Sequence, residues 1–430
     1  MQYFRLQLGC LMVILYVIVT YHKAAVQSRI PRNHLFDALM VVTPWAVFFD
    51  GLTAWTVNHP DIVSAPVNGL AHLFFFVTMD LVIIITTLYM YDETIGLNKK
   101  DESKNLWLLV PGAISLLLIV AGMGKVQYLH GETTNYSMGF SVYVCFITLF
   151  LYYGVMLYLL LSRRRFLPKD KEISATSMIV IVGVVLIVQI IFPEVLLTSI
   201  GSTILLVGIY LDFENPSIRK LTIYNQNMVE GFATMVENRD DNTGGHIRRT
   251  QAYVNLMLHK MRHDPRYRDI VNVDYLNDVS NAAPLHDVGK IATPDRILQK
   301  PGKLTDEEYA IMKEHSARGG EIIKTTFKDT GTPEFRKIAF EVARFHHEKY
   351  NGKGYPDGLE GEWIPLHARV MAIADVFDAV SQKRCYRDAM PLDECFAIIE
   401  KGSGTDFDPE LVKIFLNSRE EVEALMREHM

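Results

Sequence analysis

The stretch 346–359, HHEKYNGKGYPDGL, decides how the C-terminal half of this 430-residue chain is read. Two imidazoles, His346 and His347, stand side by side, and a glycine-rich segment follows. Successive helical residues point about 100° apart. Both rings can therefore reach one ion only where a helix ends or distorts. Gly352, Gly354 and Gly358 supply such an exit, because glycine adopts backbone angles closed to other residues. Pro356 then fixes a turn that leaves the Tyr355 ring free to face the mouth of a site.

Working outward, the same half holds further imidazoles and carboxylates with suggestive neighbours. His315 lies near the end of a helix opened by Thr305 and Glu308, a capping box. His286 and Asp287 stand together in PLHDVGK, 284–290, with Gly289 and Lys290 just behind. His246 follows a Thr-Gly-Gly turn, and Asp375 lies in IADVFDAV, 373–380. Each alone has an ordinary explanation as a surface or hydrogen-bonded core residue. Together, five histidines and two aspartates make a mixed nitrogen and oxygen donor set suited to borderline divalent metals. Seven donors are too many for one tetrahedral ion and suit two ions sharing a bridging carboxylate. Helical periodicity dominates this half and long alternating runs are absent, so it reads as all-α. A second helix start is Asp408-Pro409, with the aspartate as N-cap and the proline at the first helical position.

The N-terminal half is different. A spanning helix needs about 20 mainly apolar residues. Seven candidates lie near 3–21, 35–56, 70–92, 106–123, 139–162, 174–192 and 195–212. The first is not read as a signal peptide, since no small-residue cleavage site follows it and six more spans do. Basic residues set the orientation. Lys23, Arg29 and Arg32 follow span one, Lys99, Lys100 and Lys104 follow span three, and Arg163, Arg164, Arg165, Lys169 and Lys171 follow span five. The alternate loops hold only Lys125. The N-terminus is therefore expected outside, and the chain after span seven in the cytoplasm. Asp50 and Asp80 within spans are either functional or hydrogen-bonded structural groups; the second reading puts Asp50 near the outer interface.

The expected organisation is a seven-helix transmembrane sensor bundle over 1–212, a helical connector over 213–236 and an all-helical domain over 230–430. In the connector, Leu221, Tyr224, Met228, Phe232 and Met235 recur at helical spacing. The stripe suits either a coiled-coil contact in a homodimer or the first core-facing helix of the next domain. A net charge of −6 gives no reason to invoke DNA. The four cysteines, Cys10, Cys145, Cys385 and Cys395, have no metal-clip spacing and read as buried thiols.

His246, His286-Asp287 and Asp375 resemble the HD metal-dependent phosphohydrolase superfamily. HHEKYNGKGYPDGL, HDVGK and ADVFDAV in that order resemble its HD-GYP branch, over about residues 230–425. The resemblance implies a cytoplasmic phosphodiesterase acting on cyclic di-GMP or a related cyclic dinucleotide. It implies two divalent ions, Fe or Mn, one held by His246, His286, Asp287 and Asp375, the other by Asp287, His315, His346 and His347. It places Asp287 and Lys290 at the reacting phosphate, and Lys290, Gly354, Tyr355, Pro356, Arg384 and Arg387 in substrate binding. Attack by a metal-bridging hydroxide giving linear pGpG is the implied reaction, with further cleavage to GMP left open by the sequence. The Gly354–Pro356 loop is implied as a docking surface for a diguanylate cyclase, and the bundle implies contact with membrane lipid. Some relatives carry a glutamate four residues before the first histidine and bind a third ion; here that position is Asn242, so two ions are expected, with Asp240 and Asp241 close by. No residue stands out as general acid. A catalytically silent module that binds a cyclic dinucleotide or a protein partner is the alternative, and an HD hydrolase for another nucleotide a third reading.

Overall fold

The computed structural model describes residues 4–28, 32–95, 107–131, 134–195, 197–239, 245–328, 331–382 and 389–428. The chain divides into two compact units, Met1–Thr222 and Ile223–Met430.

Among the described residues, the first unit holds seven helices: α1 (Arg5–Ser28), α2 (His34–Val57), α3 (Ala65–Ile95), α4 (Leu109–Gly122), α5 (Phe140–Arg163), α6 (Lys169–Ile191) and α7 (Thr198–Ile209). Five of them, α1, α2, α3, α5 and α6, are long and apolar enough to cross a membrane. The other two are shorter, 14 residues for α4 and 12 for α7, although α7 runs on as a π-turn over Tyr210–Glu214. Their outward surface is unlike that of a soluble protein. Leu117 is 72% exposed and Ile147 68%, which leaves hydrocarbon where water would otherwise be met. Inside, polar side chains satisfy one another. Ser115 donates to Asp80 at 2.5 Å, Thr148 donates to Ser115 at 2.7 Å, and Tyr152 donates to Leu108 O at 2.5 Å. Asp50 is also buried, accepting from Gln7 on α1 and Ser199 on α7. Between α4 and α5 stands a small antiparallel hairpin, β1 (Val126–Leu129) with β2 (Tyr136–Gly139), pairing Val126 with Gly139 and Leu129 with Tyr136. Four-residue strands are too short for an alternation signal to register.

Helix α8 (Pro216–Glu237) carries the connector stripe. At 100° per residue its five apolar side chains fall in an arc of about 80°. All five are exposed, and it is the neighbouring face, Ala233 and Val236, that is buried. The stripe therefore does not face the core.

The second unit is helical throughout: α9 (His246–His263), α10 (Val273–Ala282), α11 (Asp295–Leu298), α12 (Asp306–Thr326), α13 (Pro333–Phe345), α14 (Leu366–Ser381), α15 (Leu392–Lys401), α16 (Pro409–Asn417) and α17 (Arg419–Glu428). Its core is built round α9, whose Tyr253, Val254, Met257, Leu258 and Met261 are fully buried. They pack with Phe377 of α14, Phe396 of α15 and Phe415 of α16 in one cluster. Both helix starts read from sequence are present, the Thr305–Glu308 box and the Asp408 cap ahead of Pro409. The α12 end differs from expectation. His315 does not end the helix, which continues through Gly319 and Gly320 to Thr326. Those glycines serve close packing: Ala343 lies against Gly319, and Phe340 and Arg344 against Gly320.

Candidate metal centre

Four short-range devices aim imidazoles at a common interior. His246 is the first residue of α9, where Glu237 at the end of α8 accepts its backbone N–H at 3.1 Å. Its Nδ1 lies 2.8 Å from Asp378 Oδ2. His286 sits between two 3-10 turns, Ala283–Leu285 and Val288–Ala292, with Nδ1 2.9 Å from Ala283 O. On α12, His315 Nδ1 is 2.6 Å from Met312 O. His346 caps the C-terminus of α13, with Nδ1 3.0 Å from Val342 O. Carbonyl and carboxylate oxygens only accept, so in all four rings Nδ1 carries a hydrogen and Nε2 is the nitrogen turned to the interior. The helix end at Phe345 lets both His346 and His347 face inward.

The inward nitrogens are crowded. His246 Nε2 lies 3.3 Å from His286 Nε2, and His315 Nε2 lies 3.5 Å from His346 Nε2. Two lone pairs facing each other at such distances repel unless a cation or proton lies between them. Asp287 stands between the two pairs and divides its oxygens. Oδ2 is 3.4 Å from His286 Nε2, while Oδ1 is 3.3 Å from His315 Nε2 and 3.8 Å from His346 Nε2. Asp375 Oδ1 lies 3.6 Å from His246 Nε2 and 4.0 Å from His286 Nε2. Donor atoms of His246, His286 and Asp287 all lie within 4.8 Å of one another, as do those of Asp287, His315, His346 and His347. Six of the seven expected donors thus form two close sets meeting at one carboxylate, with Asp375 beside His246 and His286 at the edge of the first, an arrangement that fits two divalent cations.

Electrostatics agree with that arrangement. Burial, the largest influence, pushes His346 down to about 3 and lowers His347 and His315 as well. Burial would lower His286 too, but the Asp287 and Asp375 carboxylates outweigh it and raise the ring to about 9. Asp287 is held well below the usual carboxylate range, because Lys290 and His286 overcome its burial. Lys290 Nζ lies 2.8 Å from Asp287 Oδ2.

The Gly354–Pro356 loop lies beside the second set. The Tyr355 ring packs 4.8 Å from His347. Gly354 is pressed against the chain, since a Cβ there would lie 2.2 Å from Lys349 N. Arg384, Arg387, Asn242, Asp240, Asp241 and Cys385 fall outside the described residues; Cys10, Cys145 and Cys395 are buried free thiols.

Five residues that support the site were not read from sequence. Asp378 takes Arg249 Nε at 2.7 Å as well as the His246 ring. Glu237 holds the His246 backbone. Arg239 donates to Ile291 O at 2.7 Å and Thr293 O at 3.3 Å and pairs with Asp295 at 2.7 Å, fixing the turn that carries Lys290. Glu348 is buried and accepts from the backbone N–H of Asp357, Gly358 and Leu359 at 2.8, 3.1 and 3.0 Å. One signal was available: Asp375 and Asp378 are three apart on one helix face.

Residues 232–411 match the family model described as an HD domain. A cyclic di-GMP phosphodiesterase of Vibrio cholerae serotype O1 is 40% identical over 227 residues, covering 53% of this chain and 46% of that protein. A probable cyclic di-GMP phosphodiesterase of the same organism is 42% identical over 190 residues, 44% of this chain and 43% of that protein. A 3'3'-cGAMP-specific phosphodiesterase, also from V. cholerae, is 36% identical over 232 residues, 54% of this chain and 40% of that protein. The chain spans less than half the length of each of these relatives.

Proposed function

We propose that this chain is a metal-dependent phosphodiesterase of HD-GYP type that hydrolyses cyclic di-GMP to linear pGpG; the match of residues 232–411 to an HD domain supports the reading. The observation that carries the reading is the Asp287 carboxylate, one oxygen turned to each of two imidazole sets. His246, His286, Asp287 and Asp375 would hold one ion and Asp287, His315, His346 and His347 the other, with Fe or Mn as the ions. Bound there, two cations would lower the pKa of a water and neutralise phosphate oxygens as charge builds. Asp378, Ala283 O, Met312 O and Val342 O fix each ring so that its lone pair faces inward without reorganisation. Lys290 adds a fixed positive charge beside the place a phosphate would take. Tyr355, packed on His347, shapes the mouth on that side. Arg384 and Arg387 are the candidate phosphate-binding cations.

The helices of the first unit would hold the domain at the cytoplasmic face of a membrane in contact with lipid, the N-terminus outside. The exposed α8 stripe would pair two copies, and the Gly354–Pro356 loop would dock a cyclase. One relative's cGAMP specificity makes a mixed dinucleotide the competing substrate. The test is to load the purified full chain with Mn or Fe, supply cyclic di-GMP and 3'3'-cGAMP side by side, and identify products by mass spectrometry. Faster cleavage of cyclic di-GMP to pGpG is expected. Preference for cGAMP overturns the substrate assignment, and tight binding without cleavage overturns the reaction.

A further inference from the structure

The first unit contains a hollow of about 750 Å3, its open mouth included, between α2, α3, α5 and α6 and beside β2. It shares Met79, Phe146, Leu149, Gln189 and Thr198 with a second hollow of about 540 Å3 that continues among α3, α5, α6 and α7. The second is walled by aliphatic side chains such as Val82, Val182 and Leu205. A mixed polar chamber therefore leads into an apolar arm. The polar chamber lies where the α2–α3, hairpin and α6–α7 connections meet, since Val57, Asn135 and Pro193 all line it.

Most polar groups lining it are already engaged. Asp50 accepts from Gln7 and Ser199. Gln189 donates to Pro193 O at 3.1 Å and accepts from Leu197 N at 3.2 Å. Asn135 Nδ2 donates to Val57 O at 3.3 Å, its Oδ1 lies 2.8 Å from His130 Nδ1, and its backbone N–H donates to Asn58 Oδ1 at 3.1 Å. His72 is not fully engaged. The residue is 2% exposed, and its Nδ1 lies 2.8 Å from Asn68 O, so Nδ1 carries the hydrogen. Nε2 is left as an acceptor, and among the described residues none donates to it. An acceptor of a buried ring that no group donates to is unfavourable, and a cavity with an apolar arm and a few polar groups is the usual form of a small-molecule site.

We propose that this cavity binds a small neutral amphiphile, its hydrocarbon body in the arm and a hydroxyl or N–H head donating to His72 Nε2. The site belongs to the membrane unit and so gives the chain an input distinct from the dinucleotide. It rests on the reading that the first unit lies in a bilayer.

The test uses the full chain in phosphatidylcholine proteoliposomes and a decanol probe bearing a chain diazirine. Light-driven labelling should saturate, be competed by plain decanol, and map to Met79, Phe146 or Leu149. The matching decane probe, which has no head, should not saturate. His72→Phe should raise the half-saturating concentration roughly tenfold, and Leu149→Trp should abolish saturable labelling by filling the chamber. An unchanged thermal melting profile of the full chain in the same vesicles shows that each variant is folded. Labelling that never saturates and spreads over outward residues such as Leu117 and Ile147 overturns the proposal. So does saturable labelling indifferent to His72→Phe, or cavity labelling by a diazirine phosphatidylcholine in place of the alcohol. Carbonate extraction run on the same vesicles reports separately on the membrane reading: release of the chain would sink that reading, whatever the labelling shows.

Discussion

Asp287 can stand between two imidazole pairs because the residue two places later has no side chain. A Cβ on Gly289 would lie 1.8 Å from His315 O and 2.6 Å from Gly319 N. Both are backbone atoms, so Gly289→Ala must push α12 away and carry His315 with it. We expect a cost of at least about 1–3 kcal/mol, the usual range for overpacking, seen as a lower melting temperature together with lost metal. Asp378 acts on the other side of the site. Burial would raise its carboxyl, but hydrogen bonds from His246 and Arg249 outweigh burial and hold it below the usual value. Asp378→Asn should weaken metal binding roughly 10–100-fold, measured by competition with a chelating dye. Because the folded pKa is the lower one, this pair's stabilisation is complete above the ordinary carboxylate pKa of about 4 and is lost as pH falls through the folded value. A melting series across acid pH should show that loss in the wild type and much less of it in Asp378→Asn. The clustering of His246, His286, Asp287, His315, His346 and His347 was legible from residue types and motif order. Asp378 was not, because a carboxylate that orients a ligand looks in sequence like any helical aspartate until its partner, 132 residues away, is in place.

At the scale of elements, the adjacent histidines are explained by where α13 stops. The chain leaves the helix at His346, and Glu348 then gathers three backbone N–H groups of the loop that follows. Glu348→Gln removes the charge and one acceptor from that knot. It should raise KM more than it lowers kcat, since the loop and not the donor set is loosened; an equal fall in kcat alone would place the loop in the chemical step instead. Helix α8 shows the other kind of outcome. Its stripe was legible, but not its direction, because periodicity gives a face without saying what meets it. That face is exposed while Glu237 and Arg239 at the end of the helix hold His246 and the Lys290 turn. If two copies pair there, Met228→Cys and Met235→Cys should cross-link on mild oxidation in membranes, and Gln226→Cys, which lies off the stripe, should not. Equal cross-linking at all three positions would remove the stripe as an interface.

For the molecule as a whole, helix content and the apolar character of the first unit follow from composition and periodicity. The hairpin did not, and the spans near 106–123 and 195–212 prove shorter as regular α-helix than the rest, since hydropathy reports apolar length without regard to where a helix changes form. The metal reading also fixes a proton inventory. With His286 raised to about 9, the ion-free site at pH 7 carries a proton that a cation must displace. Metal binding at pH 7 should therefore release about one proton, found by calorimetry in buffers of different ionisation enthalpy, and the release should fade above pH 9. The shared carboxylate is tested most directly by metal content per chain in the full-length wild type and in Asp287→Ala, loaded with Mn or Fe and desalted. Two sets meeting at Asp287 predict about two ions in the wild type and the loss of both together in the variant. An Asp287→Ala chain that keeps both ions would contradict the account.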